Sequence, residues 1–165
     1  EPFAILLADD LINAKGDSCL KQMADVFHEQ KSSVLAVERI DPAETNRYGV
    51  VDIEEEGSNI GLIKEIVEKP EPENAPSNLA VVGRYILTPA IFDLLEKTGP
   101  GKGGEIQLTD AIESLLSIEK VKTLEFEGAR YDCGDKLGYL EATIAYALEH
   151  DDLAAGFKEI IKKYQ

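Results

Sequence analysis

Apolar and polar positions alternate along this chain in two rhythms, one suited to strands and one to helices. Phe3-Ala4-Ile5-Leu6-Leu7-Ala8 is a continuous apolar run closed by Asp9-Asp10, the pattern of a strand buried on both faces that delivers carboxylates at its C-terminal edge. Asp17-Ser18 then offers a helix cap ahead of Leu20, Met23, Ala24 and Phe27, which share one helical face. Ser33 to Val37 predicts the next strand, completing a β-α-β unit. Tyr48 to Ile53 and Gly61 to Val67 predict two strands joined through the acidic tip Glu54-Glu55-Glu56-Gly57, as a hairpin or as a pair in a mixed sheet.

Residues 70–77 carry three prolines and read as a loop. A strand follows over Asn78 to Leu87. Thr88-Pro89 then supplies the cap and first position of a helix bearing Ile91, Phe92, Leu94 and Leu95 and ending at Gly99. The glycine-rich segment 99–104 separates that helix from one with Ile112, Leu115 and Leu116 on a face. Lys122 to Phe126 predicts a last strand. Leu137, Leu140, Ile144 and Leu148 mark one amphipathic helix, and Leu153, Phe157, Ile160, Ile161 and Tyr164 another. The order β-α-β-β-β-β-α-α-β-α-α predicts an α/β fold with a mixed, mainly parallel sheet flanked by helices, and C-terminal helices from about residue 137.

Composition narrows the functional classes. The 165 residues suffice for one domain, although a buried strand at residue 3 is an unusual way for a natural chain to begin. Seventeen basic against 32 acidic side chains give a net charge of −15, a field that repels nucleic acid and anionic membrane surfaces. At 44% hydrophobic residues the chain is too apolar for a disordered acidic tail. No apolar run approaches a membrane span, so a soluble, cytoplasmic protein is the expectation. Cys19 and Cys133 are far apart and lack metal-ligand spacing, which makes reduced thiols the expected state.

Asp9 and Asp10 are the first candidates for chemistry. A carboxylate at the end of a buried strand is costly unless it meets a cation, a helix N-terminus or water. Magnesium, which takes one or two carboxylates together with phosphate oxygens and water, answers that need; capping the next loop answers it equally. Asp132, in Tyr131-Asp132-Cys133-Gly134-Asp135-Lys136, would face the same edge, unless it forms only an Asx-turn. Val67-Glu68-Lys69-Pro70 ends a strand with a carboxylate suited to sugar hydroxyls and an ammonium suited to phosphate, or is an ordinary exposed strand end. Gly49 permits close approach by a ligand, or a bulge. Cys133 has no nearby His to activate it, and the 99–104 loop lacks the Lys-Ser/Thr ending of a phosphate loop.

These segments occur in an order that carries a resemblance. Leu6 to Asp10, Tyr48-Gly49-Val50-Val51, Val67-Glu68-Lys69-Pro70, Ser77 to Tyr85, Glu105 to Ile112 and Asp132 to Tyr139 together resemble the bacterial UTP-glucose-1-phosphate uridylyltransferases, a family of sugar nucleotidyltransferases, over essentially the whole chain. The resemblance implies a Rossmann-like nucleotidyltransferase fold and assigns Asp9 and Asp132 to the catalytic magnesium. It assigns Glu68 to the glucose hydroxyls, Lys69 to the sugar phosphate, and Gly49 and Val81 to the backbone lining the sugar site. Asp10 falls where members of the family often carry Asn or another residue and is the poorer ligand candidate.

The family's glycine-rich Gly-x-Gly-Thr-Arg loop, which cradles the nucleotide, does not occur in these residues. The chain is therefore expected to be a partial nucleotidyltransferase domain over 1–165, the C-terminal part with the sugar-phosphate and metal half, and to be inactive alone. The parent reaction implied is transfer of a uridylyl group from UTP to glucose 1-phosphate, with magnesium, giving UDP-glucose and pyrophosphate. A non-catalytic sugar-phosphate-binding or assembly module, and a transferase for another base or sugar, remain open alternatives. The apolar C-terminal helices leave room for a homo-oligomer.

Overall fold

Alternation along one central strand builds the core. The computed structural model describes residues 1–55, 57 and 59–164, and its elements in chain order are β1 (Phe3–Leu6), β2 (Asp10–Asn13), α1 (Cys19–Gln30), β3 (Ser33–Arg39), β4 (Gly49–Glu55), β5 (Ile60–Glu68), β6 (Leu79–Leu87), α2 (Ala90–Leu95), α3 (Leu108–Leu115), β7 (Val121–Glu125), β8 (Ala129–Asp132), α4 (Lys136–Glu149) and α5 (Ala154–Ile161). On β3, Leu35 and Val37 face one way, into a cluster with Ile91, Ala111, Ile112 and Leu115 from α2 and α3. Val34 and Ala36 face the other way, against Cys19, Met23 and Val26 of α1. Successive strand side chains point to opposite faces, so a run that is apolar at every position feeds both layers.

The main sheet runs β1-β6-β3-β7-β5-β4, and a further pairing of Val50 with Ala80 joins β4 to β6, closing β6, β3, β7, β5 and β4 into a ring. The expected mainly parallel sheet is corrected here: among the described pairings only β3–β7 is parallel. The β4–β5 hairpin must pair antiparallel because its connection is short, and β6 pairs antiparallel with β1, β3 and β4 alike. Within that hairpin, Glu56 of the expected acidic tip lies outside the described residues.

The first apolar run also departs from expectation. Only Phe3–Leu6 is strand, and it lies at an edge of the sheet, paired to β6 alone, with Leu6 51% and Leu7 44% exposed. After Leu7 donates to the Gly83 carbonyl at 2.8 Å the chain turns, so Asp9 sits in a turn and Asp10 opens a second strand. That strand, β2, pairs antiparallel with β8 in a separate two-stranded ribbon. Four-residue strands show too little alternation to be read from sequence.

The last two helices form as expected, but their apolar faces are not buried. Ser18 caps α1, and Asp135 caps α4 by accepting from the backbone of Leu137 and Gly138. Leu137, Leu140 and Ile144 of α4 stay exposed, and only Ala142 in that helix is buried. Among the described residues, no helix is long and apolar enough to cross a membrane.

Candidate active site

The ribbon of β2 and β8 brings distant carboxylates together. Its register pairs Asp10 with Asp132. The turn before it is clamped by Arg84, whose guanidinium donates to the carbonyls of Leu7 and Asp10. The backbone N–H of Cys133 donates to the Asp9 carbonyl at 2.7 Å, which fixes Asp9 beside Asp132. Both side chains then converge on Gly134: a methyl group there would stand 3.1 Å from Asp132 Oδ1 and 3.3 Å from Asp9 Oδ2. A glycine thus leaves open a space bordered by one oxygen of each carboxylate.

Asp132 uses its two oxygens differently. Oδ1 accepts from the Gly134 N–H at 3.1 Å. Oδ2 accepts from the Tyr48 hydroxyl at 3.0 Å and from Arg47 at 3.1 Å, with Arg130 at 3.8 Å. Asp10 is committed elsewhere. It is buried, forms an ion pair with Arg130, and accepts from the Gly83 N–H at 2.9 Å. Burial works against the Arg130 charge, but Tyr48 and Asp10 outweigh it and raise its pKa, so the guanidinium stays charged.

A hard divalent cation fits the donor set at Asp9 and Asp132. Among the described residues no cluster of three or more His, Cys, Asp or Glu side chains gathers to cage a metal. Two converging carboxylate oxygens are what magnesium takes from a protein when phosphates and water complete its shell.

The second group lies on the β4–β5 hairpin. Gly49 and Glu68 are register partners, and a methyl group on Gly49 would stand 3.3 Å from Thr109 Oγ1 and 3.4 Å from Glu68 Oε2. The Thr109 hydroxyl donates to Glu68 Oε2 at 2.6 Å, and Lys69 Nζ lies 3.5 Å from Oε1. Adjacent strand residues ordinarily point to opposite faces. Lys69 escapes this because it follows the last strand residue with φ +46°, a left-handed conformation costly for a side-chain-bearing residue. Its N–H donates to the Tyr48 carbonyl at 2.9 Å, and its own carbonyl accepts from Lys102. The glycine-rich 99–104 loop therefore fastens the Glu68-Lys69 turn, with Gly103 and Gly104 at φ +76° and +79°.

Tyr48 links the two groups, with its hydroxyl on Asp132 and its carbonyl on Lys69. Burial, with the charges of Glu68 and Asp10 nearby, pushes the Tyr85 phenol up to about 12. Val81 stands apart from these polar contacts: its side chain is buried in the apolar core and it pairs with Val37. Cys19 is buried, and burial pushes its thiol up to about 11, which suits packing and not nucleophilic attack. Sequence reasoning missed Arg47, Thr109, Arg130 and the Tyr48 hydroxyl. Their contacts to Glu68, Asp132 and Asp10 bridge 41 to 120 positions in the chain, so no local spacing reveals them, although Tyr48 and Thr109 lie inside the motifs that carried the resemblance.

Asp9 in its turn and Asp132 at the end of β8 are thus joined through Tyr48 to the Glu68-Lys69 strand end on a mixed α/β fold. The profile of the nucleotidyl transferase family matches residues 1–149, and the chain belongs to that family. It is 53% identical over 144 residues to a UTP–glucose-1-phosphate uridylyltransferase of Pseudomonas aeruginosa, covering 87% of this chain and 52% of that protein. It is 47% identical over 163 residues to UTP–glucose-1-phosphate uridylyltransferase 2 of Staphylococcus saprophyticus, covering 99% and 56%. The fold superposes on a crystal structure of UDP-glucose pyrophosphorylase complexed with UDP-glucose, with TM-score 0.88, 46% identity and coverage of 91% and 57%. A UTP-bound enzyme from Acinetobacter baumannii gives TM-score 0.85 at 37% identity, covering 100% and 57%. The chain spans about half the length of these relatives.

Proposed function

We propose that this chain is the sugar-phosphate- and metal-bearing part of a UTP–glucose-1-phosphate uridylyltransferase, joining glucose 1-phosphate to the uridylyl group of UTP. The observation that carries the reading is the pairing, through Tyr48, of the Asp9/Asp132 carboxylates with the Glu68-Lys69 turn. One end is suited to a cation between phosphates and the other to a sugar phosphate.

Glu68 accepts hydrogen bonds from glucose hydroxyls, with Thr109 holding its second oxygen. Lys69 donates to the sugar phosphate. Gly49 and Val81 present backbone to the sugar, Gly49 because it has no side chain to block approach. Asp9 and Asp132 would hold magnesium, which when bound would offset repulsion between the two anionic reactants and stabilise charge around the α-phosphorus of the uridylyl group. A phosphate oxygen of glucose 1-phosphate bonds to the α-phosphorus of UTP while the bond to the β-phosphate oxygen breaks and pyrophosphate leaves with the electron pair. No covalent intermediate on the protein is required, and the residues supply alignment and charge. Base selection and the cradle for the triphosphate fall to the remaining half of the enzyme, so the 165 residues alone do not turn over. A cytoplasmic setting and self-association through the exposed faces of α4 and α5 complete the reading.

The test is pyrophosphate release from UTP and glucose 1-phosphate with magnesium. A full-length protein carrying these residues is active, its Asp132→Asn variant loses most of that turnover, and its Glu68→Gln variant shows a raised KM for glucose 1-phosphate. Full activity in both variants, or robust turnover by the 165-residue chain alone, would overturn the assignment.

A further inference from the structure

Asp9 and Asp132 present like charges to each other across Gly134, and neither charge by itself favours that approach. Something must hold Asp132 in the orientation that aims Oδ1 inward. The Gly134 N–H on Oδ1 and the contacts on Oδ2 do this together: the Tyr48 hydroxyl at 3.0 Å, Arg47 at 3.1 Å and Arg130 at 3.8 Å all lie on the outer oxygen, so rotation of the carboxylate would break them together. We propose that Tyr48, assisted by Arg47, is a positioning residue that keeps Asp132 turned toward Asp9 and so sets the affinity of the pair for a divalent cation. The inference rests on the metal assignment above and adds to it a residue that touches neither the cation nor the reactants.

Tyr48 is itself held in place, its hydroxyl shared between the Asp132 carboxylate, to which it donates, and the Arg130 guanidinium. Its ring lies under the Arg130 guanidinium at 5.0 Å and the Arg47 guanidinium at 5.3 Å, both within reach of a cation–π attraction. Arg130 is in turn 7% exposed and anchored on Asp10. The backbone of Tyr48 is tied on both sides, with its N–H donating to Thr45 O at 3.3 Å and its carbonyl accepting from Lys69. Ring contacts and backbone bonds survive removal of the hydroxyl, so that one atom separates positioning from folding. The partners that orient metal ligands are worth about 10–100-fold in affinity when lost.

The experiment titrates the 165-residue chain with Mn²⁺ and follows free ion by electron paramagnetic resonance, with melting temperature and circular dichroism recorded alongside. The parent binds the ion and Asp132→Asn does not. Tyr48→Phe binds about 10–100-fold more weakly with an unchanged melting temperature. Arg47→Gln, at a half-exposed side chain, weakens binding in the same direction by less, and it keeps the idea testable if Tyr48→Phe folds poorly. Parent-like affinity in Tyr48→Phe and Arg47→Gln, with Asp132→Asn still unable to bind, overturns the positioning role and leaves the metal site standing. Parent-like affinity in Asp132→Asn, or no binding by the parent, overturns the metal assignment itself and the positioning role with it.

Discussion

Replacing Gly138 by alanine sets two physical effects against each other inside α4. Alanine is the better helix former, by up to about 1 kcal/mol, and a bare helix would gain stability. In this protein the added Cβ would stand 2.1 Å from the Asp132 carbonyl oxygen, 2.9 Å from its carbon and 3.4 Å from its nitrogen. Ordinary carbon-to-oxygen approach is about 3.3–3.6 Å, so the first turn of α4 must withdraw by roughly 1.2 Å. The obstacle is backbone and cannot rotate away, which places the cost toward the top of the ~1–3 kcal/mol range for overpacking. The net expectation is destabilisation by about 2 kcal/mol, a shift of roughly 30-fold in the folding equilibrium. Gly156 in α5 is the control, since a Cβ there meets nothing within 4 Å, and Gly156→Ala should gain up to about 1 kcal/mol. Equilibrium urea denaturation followed by far-ultraviolet circular dichroism measures both. A Gly138→Ala midpoint at or above that of the parent would refute the packing of α4 on the Asp132 backbone.

Two other outcomes follow from buried groups. Arg130→Met leaves the Asp10 carboxylate, 10% exposed at its side chain, without its ion-pair partner and should cost about 3–5 kcal/mol; adding Asp10→Asn should recover part of that, and additive losses in urea denaturation would show that the two are not coupled. The Tyr85 phenol, raised from 10.0 to about 12 in the fold, releases its proton in the unfolded chain first, so its contribution is complete below pH 10 and disappears as pH rises toward 12. That amounts to at most ~2–3 kcal/mol, and Tyr85→Phe should flatten the fall in stability over this window; an identical slope in parent and variant would contradict the burial of the phenol.

Much of the frame was legible because burial on both faces leaves a strong mark. Ser33 to Val37 is apolar enough to predict a central strand, and Ser18 marks the start of α1 as the spacing of Leu20, Met23 and Phe27 requires. The pairing direction was not legible, since an apolar run looks alike in parallel and antiparallel surroundings, and Phe3 to Ala8 shows that it looks alike at a sheet edge too. Asp9, Asp132, Glu68 and Lys69 could be named from short segments and a resemblance. What turns Lys69 back beside Glu68 is a left-handed backbone angle, and what aims Asp132 is a hydroxyl 84 positions away. Neither belongs to a local pattern, because each arises only when distant parts of the chain meet in the fold.

The ring of five strands has an uneven seam. β4 meets β5 along seven residue pairs, whereas β4 meets β6 through the single pair Val50 and Ala80. A closed sheet breathes where the fewest ladder bonds must part, so amide hydrogens flanking that pair exchange ahead of those in β3. Tyr48 and Gly49 immediately precede Val50 at this seam. Loosening it would shift together the strand end that faces Glu68 and the hydroxyl that holds Asp132.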